Sequence, residues 1–197
     1  MESLANALSQ APTTTAEGTW YRHVPVRYAD TALEGRAADG RWSRHRGFPV
    51  LYLGRPVDSV VVEAYRHLVD PVIDAPPGFA RTIAPRSLIA CTVRVTRVLD
   101  LRTAGARLTA SLTPDQLHSA TTDENAYEAC RAVAAAAHQL GLHGLITPAA
   151  TNLGETLVLF PKNMAEDERP QETSRHTWET LPEDPRGGTK GHLRLVK

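Results

Sequence analysis

The sequence predicts a single α+β domain. Its 197 residues, 42 % of them hydrophobic, are enough to bury one good core but too few for two ordinary domains. Short apolar runs typical of strands outnumber those typical of helices. The two kinds do not alternate in a regular βαβ rhythm, so we expect central mixed or antiparallel sheets flanked by helices.

Five segments carry the strand pattern. They are TWYRHV (19–24), PVLYL (49–53), SLIACTVRVTRVLDL (87–101), HGLITP (143–148) and ETLVLFP (155–161). In the third, Thr92, Arg94 and Thr96 alternate with apolar residues, which predicts one exposed face, on either a strand pair or one long strand.

Two segments carry the helix pattern. Residues 56–68 begin with Pro56, which suits a first turn, and residues 124–142 contain Gly141, which suits a C-terminal cap. The apolar positions that predict the buried face of the first helix are Val57, Val60, Val61, Ala64 and Leu68.

The two ends of the chain differ from its middle. Residues 1–18 are rich in Ala, Ser and Thr, so we expect a flexible N-terminal arm. Residues 162–197 are polar and punctuated by Pro and Gly, and we expect a C-terminal extension that docks only through Trp178 and the terminal LRLV. The predicted domain therefore occupies residues 19–161.

Charge and cysteine content limit the classes of function. Lys plus Arg and Asp plus Glu both number 22, so no overall field attracts nucleic acid or an anionic membrane. Cys91 and Cys130 lie in apolar runs typical of buried thiols, which favours a reducing compartment. With no leader and no apolar run long enough to span a bilayer, we expect a cytoplasmic protein.

Common cofactor and metal motifs are missing from the sequence. It contains no GxGxxG, no GxxxxGK[ST] and no GxSxG. Among the histidines, His138 and His143 come nearest to a pair, and we interpret them as a helix-end and a strand-entry residue. We therefore expect no metal site and no permanently bound cofactor.

Residues 40–68 hold the strongest candidates for chemistry. Arg41 follows a glycine, Tyr52 lies in a strand eleven residues later, and Glu63 lies in a helix eleven residues after that. Glu63 is displaced by roughly 110° from the centre of the apolar stripe, where the wall of a cleft would lie. Spacing alone leaves a structural alternative open for each residue. Glu63 would pair with the neighbouring Arg66 or His67 at the surface. Arg41 would be an exposed loop residue, and Tyr52 would be a core aromatic.

The order of several motifs resembles that of the RES-domain family. GRW, FPVLYL and VVVE are similar to the family's GGRWN, its PxVYLA-like strand and its helix with a glutamate. WYR at residues 20–22 resembles the family's opening strand, and GLHGLITPAATNLGETLVLF its closing strand, loop and strand. The resemblance covers about residues 19–161. The sequence departs from the family pattern at three places. Asp39-Gly40 replaces Gly-Gly, and Ser43 replaces Asn. Ala149 stands where the family usually has a serine, although Thr147 and Thr151 carry hydroxyl groups nearby.

The resemblance implies an ADP-ribosyltransferase-like fold and a toxin that consumes NAD+ by phosphorolysis or hydrolysis. It implies that Glu63 stabilises the oxocarbenium-like ribose, that Arg41 and Arg22 bind the pyrophosphate, and that Tyr52 stacks on nicotinamide or bonds the ribose. If inorganic phosphate is the acceptor, the candidates to hold it are Arg44, His45 and Arg46.

The resemblance also implies a protein partner. We expect an antitoxin, often of the Xre type with a helix-turn-helix, that plugs the cleft and itself contacts DNA; a homo-oligomer within that complex is compatible with the sequence. Two alternatives stay open: a mono-ADP-ribosyltransferase that modifies a protein, and a catalytically silent RES-like binding module, for which Ala149 is the argument.

Overall fold

Five helices and six strands form in the computed structural model, which describes residues 4–120 and 123–188. Helices α1 to α5 span Leu4–Ser9, Val57–Leu68, Ala104–Thr109, Pro114–His118 and Glu124–Gln139. Strands β1 to β6 span Thr13–Pro25, Leu51–Arg55, Arg86–Asp100, Gly144–Pro148, Glu155–Leu159 and Gln171–Trp178. The α+β class is therefore confirmed, and no helix in this part of the chain has both the length and the apolar character needed to cross a membrane.

The strands form one mixed sheet that closes on itself. Its order is β1-β2-β5-β4-β3-β6, and β1 also pairs with β3, so within the described residues β1, β2, β5, β4 and β3 complete a ring. The β3–β4 pair is parallel and the other pairs are antiparallel. Strand β3 pairs along one edge with β1 and along the other with β6 and then β4. Closure of the ring was not predicted.

The two largest cores lie on the two faces of this ring. All five ring strands contribute apolar side chains to the interior, where Trp20, Cys91 and Leu157 are fully buried. The second core lies outside the ring, where the alanine-rich face of α5 packs on β3, β4 and β5. Strand β4 is consequently buried on both faces, since Ile146 points inward and Leu145 toward α5.

The predicted elements occupy their expected places. The segment 87–101 is one long strand, on which Thr92, Arg94 and Thr96 are exposed, as predicted. Helix α2 begins after Pro56 and buries Val60, Val61 and Ala64 against Trp178 and Leu181, and its buried face extends further, to Ser59 and Val62. Gly141 follows α5 with φ +70° and donates its N–H to the carbonyl of His138. Cys91 and Cys130 are buried free thiols.

The expected N-terminal arm is wrong for residues 4–18. Leu8, on α1, is 1 % exposed and packs in the core beside α5, and β1 begins at Thr13. The expectation rested on the Ala, Ser and Thr content and overlooked the apolar Leu8, and residues 13–18 are held by backbone pairing with β3, from Thr13 opposite Leu99 to Gly18 opposite Val93. Residues 1–3 lie outside the described part.

The C-terminal extension contains more structure than expected. Residues 171–178 form β6, which pairs with β3 and was not predicted. Trp178 is buried, as anticipated, and Leu181 joins it in packing against α2. The fold therefore continues beyond residue 161, and the terminal LRLV lies outside the described residues.

Replacing Leu8 by Ala tests whether α1 is an integral part of the core. We expect the substitution to lower the free energy of unfolding by about 2–5 kcal/mol, because it removes a fully buried side chain and leaves a cavity. Leu108→Ala is the matched control, since Leu108 is 80 % exposed and its loss should change stability by less than about 0.5 kcal/mol. Equal urea midpoints for the two variants would contradict the docking of α1.

Candidate active site

A cleft of about 530 Å³ lies between β1, β2, α2, α5 and the loop that precedes β2. Arg22, Arg41, Tyr52 and Glu63 all line it, so the structure brings together the four residues that the sequence singled out. They come from β1, the loop, β2 and α2, respectively. Their chemical roles stay predictions at this point.

The hydroxyl of Tyr52 holds the loop that carries Arg41. It accepts the backbone N–H of Trp42 at 3.0 Å and lies 3.0 Å from Oγ of Ser43. Because Ser43 Oγ donates its own hydrogen to the carbonyl of Ala38 at 2.6 Å, the tyrosine must donate to Ser43. Burial raises the pKa of Tyr52 to about 12, so the hydroxyl stays neutral. Tyr52 is thus a positioning residue through its hydroxyl, and it lines the cleft while packing against the outer core.

Gly40 and Arg131 also fix the approach of this loop. A Cβ at Gly40 would lie 2.9 Å from the Tyr52 hydroxyl, so only glycine allows the loop to pass so close. The guanidinium of Arg131, on α5, is nearly buried and donates Nε–H to the carbonyl of Gly40 at 2.9 Å. Its Nη1 is held in turn by Glu124 and Glu128, each at 2.9 Å.

Arg41 and Arg66 meet at the backbone carbonyl of Ser119. Arg41 Nη2 donates to this oxygen at 2.9 Å and Arg66 Nη2 at 3.0 Å. Arg41 Nη1 also bonds Ser119 Oγ at 2.8 Å and the carbonyl of Gln116, and Arg66 Nη1 bonds the carbonyl of Ala150 at 2.9 Å. Two guanidinium groups thereby join the loop, α2 and the segment after α4.

The carboxylate of Glu63 lies among these cations. Burial opposes its ionisation, but the hydrogen bond from His67 Nε2 to Oε1, at 2.8 Å, favours the charged form. The positive charges of His67, Arg66 and Arg41 add to this effect, and the pKa of Glu63 lies below its ordinary value. The side chain is still 41 % exposed, so a ligand in the cleft can reach an ionised carboxylate.

Arg22 is a cation without an anion. Its Nη1 is buried and has no hydrogen-bond partner, and among the described residues no carboxylate pairs with it. Burial, together with the charge of Arg36, lowers the pKa of Arg22 to about 10, so the group remains protonated at neutral pH. A buried unpaired guanidinium favours an anionic ligand.

The position of the family serine is buried. Ala149 is 2 % exposed, and its backbone N–H bonds the carbonyl of Gly154 at 3.0 Å. Of the two nearby hydroxyls, Thr151 lines the cleft and lies 2.8 Å from Oγ of Ser59, whereas Thr147 is buried and does not line it. The cleft therefore has a hydroxyl pair beside α2 even though position 149 is alanine.

The expected phosphate candidates of the loop lie elsewhere. Arg44 is exposed and pairs with Glu128, and neither His45 nor Arg46 lines the cleft. The sequence argument placed them by proximity to Arg41, but the turn at residues 44–47 directs them away from the cleft.

Several cleft residues were not identified from the sequence. Ser59 precedes Glu63 by one helical turn, a spacing that would have predicted a shared face. The Arg41 guanidinium lies over the ring of Tyr127, with its central carbon 4.6 Å from the ring centroid. Arg131 follows Tyr127 by four residues on α5 and also lines the cleft. Polar or aromatic residues four apart on an alanine-rich helix were the available signal.

This arrangement suits the binding of an anionic ligand next to a site that stabilises positive charge. The ionised Glu63 supplies a fixed negative charge, and Arg22 supplies a guanidinium ready for phosphate oxygens. Within the described residues no group of three or more His, Cys, Asp or Glu side chains is placed to hold a metal ion.

Proteins of known activity are similar to this chain. It is 29 % identical, over 166 residues, to the NAD(+) phosphorylase MbcT of Mycobacterium tuberculosis and of Mycobacterium bovis, with 81 % of this chain and 82 % of each relative covered. It also matches a chain in the crystal structure of the M. tuberculosis MbcT–MbcA toxin–antitoxin complex, with a TM-score of 0.74 and 26 % identity over 90 % of this chain and 93 % of that chain.

The RES domain family model matches residues 19–179, a range that includes all four predicted site residues and β6. The protein therefore belongs to the RES domain family.

Proposed function

We propose that this protein is a toxin of a toxin–antitoxin system that cleaves the nicotinamide–ribose bond of NAD+ and transfers the ADP-ribose to inorganic phosphate. The observation that carries the proposal is the presence, in one cleft, of an ionised Glu63 and of Arg22, whose buried Nη1 has no hydrogen-bond partner. Membership of the RES domain family and similarity to NAD(+) phosphorylases support it. The cleft volume also falls in the range of about 300–1,000 Å³ found for small-molecule sites.

Glu63 stabilises the reacting ribose. When the C1–N bond breaks, its electron pair leaves with nicotinamide, and positive charge spreads over C1 and the ring oxygen. A fixed carboxylate stabilises this charge without reorganisation, because the neighbouring cations hold it ionised before the substrate binds. An oxygen of phosphate then bonds to C1, which gives nicotinamide and ADP-ribose 1-phosphate.

Arg22 and Arg41 have different tasks in this proposal. Arg22 binds phosphate oxygens of one of the two reactants, since its guanidinium has no other anion. Arg41 already donates three N–H groups to Gln116 and Ser119, which leaves two of its five for a ligand. We assign it to shaping the cleft and lowering the pKa of Glu63, with a phosphate contact through the remaining donors.

The relationship to ADP-ribosyltransferases is also part of the proposal. Transfer to a protein passes through the same oxocarbenium-like ribose and differs only in the acceptor.

A partner protein is proposed as well: an antitoxin of the Xre type that covers the cleft. The antitoxin itself contacts DNA, because this chain has a formal charge of zero and no overall field that would attract nucleic acid. We place the toxin in the cytoplasm, where its dinucleotide substrate is made and used.

The Glu63→Gln variant tests the catalytic assignment. It keeps the shape of the side chain and removes its charge, so nicotinamide release from NAD+ and phosphate should fall by about 10²–10³-fold while the far-ultraviolet spectrum stays unchanged. Glu34→Gln, at an exposed position outside the cleft, is the control and should retain wild-type turnover. Wild-type turnover in Glu63→Gln would refute the assignment.

The pH dependence tests the role of His67. Loss of its hydrogen bond and charge should raise the pKa of Glu63, so the acid limb of the kcat/KM profile in His67→Ala should move to higher pH. His176→Ala, exposed on β6, is the control and should leave the limb in place. An unmoved limb in His67→Ala, or one moved to lower pH, would contradict the coupling.

Tyr52→Phe separates positioning from proton transfer. The variant leaves the Trp42 N–H without its acceptor, so we expect about 1–3 kcal/mol less stability and a lower kcat/KM with an unchanged shape of the pH profile. Tyr28→Phe serves as the control for stability, because the Tyr28 hydroxyl makes no hydrogen bond among the described residues. If a limb of the profile disappeared in Tyr52→Phe, the hydroxyl would be transferring a proton instead.

A further inference from the structure

A second, smaller cavity opens beside the cleft. Its volume is about 170 Å³, against about 530 Å³ for the cleft, and the two share Arg22, His23 and Arg36. Arg86, at the start of β3, adds a third guanidinium to its wall. We call the space bounded by Arg22, Arg36 and Arg86 the arginine pocket.

The arginine pocket carries positive charge that the protein does not neutralise. No Asp or Glu lines it, and none of its three arginines forms an ion pair within residues 4–120 and 123–188. Elsewhere in the same residues arginines do find carboxylates, as Arg102 does with Asp100 and Glu155. Three uncompensated guanidinium groups around one small space repel each other until an anion enters.

Neutral partners orient these arginines. Arg86 Nε donates to Nδ1 of His23 at 2.7 Å, and Arg36 Nη2 donates to Oγ1 of Thr31 at 2.7 Å. Burial and the neighbouring arginines lower the pKa of His23 to about 3, so the ring stays neutral and accepts this bond. The remaining guanidinium N–H groups are left for a ligand.

We propose that the arginine pocket binds a phosphate group. Planar guanidinium groups bind two oxygens of a tetrahedral oxyanion at once, and the pocket is too small for the nucleoside parts of a dinucleotide. Its junction with the cleft at Arg22 and Arg36 places the group within reach of the reaction site. Building on the proposed function, two sources supply this chemistry: the free phosphate acceptor, or a phosphate of the dinucleotide.

Binding measurements without turnover test the pocket. We would titrate the purified protein separately with inorganic phosphate and with ADP-ribose, which carries both phosphates but not the scissile bond, by isothermal titration calorimetry. Arg36→Gln and Arg86→Gln should each lower the affinity for one of the two ligands by about tenfold or more. Arg94→Gln removes the same charge at an exposed position on β3 outside both cavities and should bind both ligands as the wild type does.

The outcomes identify the source of the phosphate group. Selective loss of phosphate affinity assigns the pocket to the acceptor, and selective loss of ADP-ribose affinity assigns it to the substrate. Wild-type affinities for both ligands in Arg36→Gln and Arg86→Gln, or no binding of either ligand to the wild type, would overturn the proposal.

Two further measurements keep the result interpretable. Arg86→Lys keeps the charge without the planar fork, so it replaces Arg86→Gln if that variant melts early, and it should also lose affinity. A failure of the proposed function is seen separately, as wild-type protein that releases no nicotinamide but still binds phosphate.

Discussion

The backbone carbonyl of Ser119 is the point at which the site is assembled. Arg41 and Arg66 reach it from the loop before β2 and from α2, and both donate to it. Two guanidinium groups so close together favour a negative charge nearby, and Glu63 supplies it on the same helix as Arg66. The hydrogen bond and charge of His67, followed by the charges of Arg66 and Arg41, keep the pKa of Glu63 low although burial in the cleft opposes its ionisation. The loop that carries Arg41 is held in this position by the Tyr52 hydroxyl and by the hydrogen bond from Arg131 to the carbonyl of Gly40.

The closed sheet holds the parts of this site in place. Arg22 lies on β1, which pairs with β3 along its length and with β2 where Tyr21 faces Gly54. Strand β2 in turn carries Tyr52, and α2 follows β2 directly, so Glu63 is positioned by the same strand as the tyrosine. Side chains placed by strands and a packed helix are held more rigidly than side chains on free loops. The arginines divide into two groups: Arg41 and Arg66 organise the carboxylate, and the arginine pocket stays open to an anion.

The sequence predicted the elements whose apolar pattern is local. The strands at β1 to β5 and helices α2 and α5 followed from runs and periods, because their buried faces are continuous along the chain. Helices α1, α3 and α4 and strand β6 were missed. Leu8 of α1 finds its partners on α5, and the polar β6 is held by backbone pairing with β3. The displacement of Glu63 from the apolar stripe predicted a cleft wall, and Glu63 does line the cleft. Its pairing with Arg66 and His67, which first appeared as the competing interpretation, is how the carboxylate stays ionised. No local pattern indicates that Arg36 and Arg86, which are 50 residues apart along the chain, share a pocket with Arg22.

The most direct test of the central claim is to identify the products that the purified wild-type protein forms from NAD+, with and without inorganic phosphate. Mass spectrometry should find nicotinamide and ADP-ribose 1-phosphate in equal amounts when phosphate is present, and almost no turnover when it is absent. Absence of nicotinamide under both conditions would contradict the account. Equal nicotinamide release without phosphate, with free ADP-ribose or ADP-ribose attached to protein, would contradict the proposed acceptor.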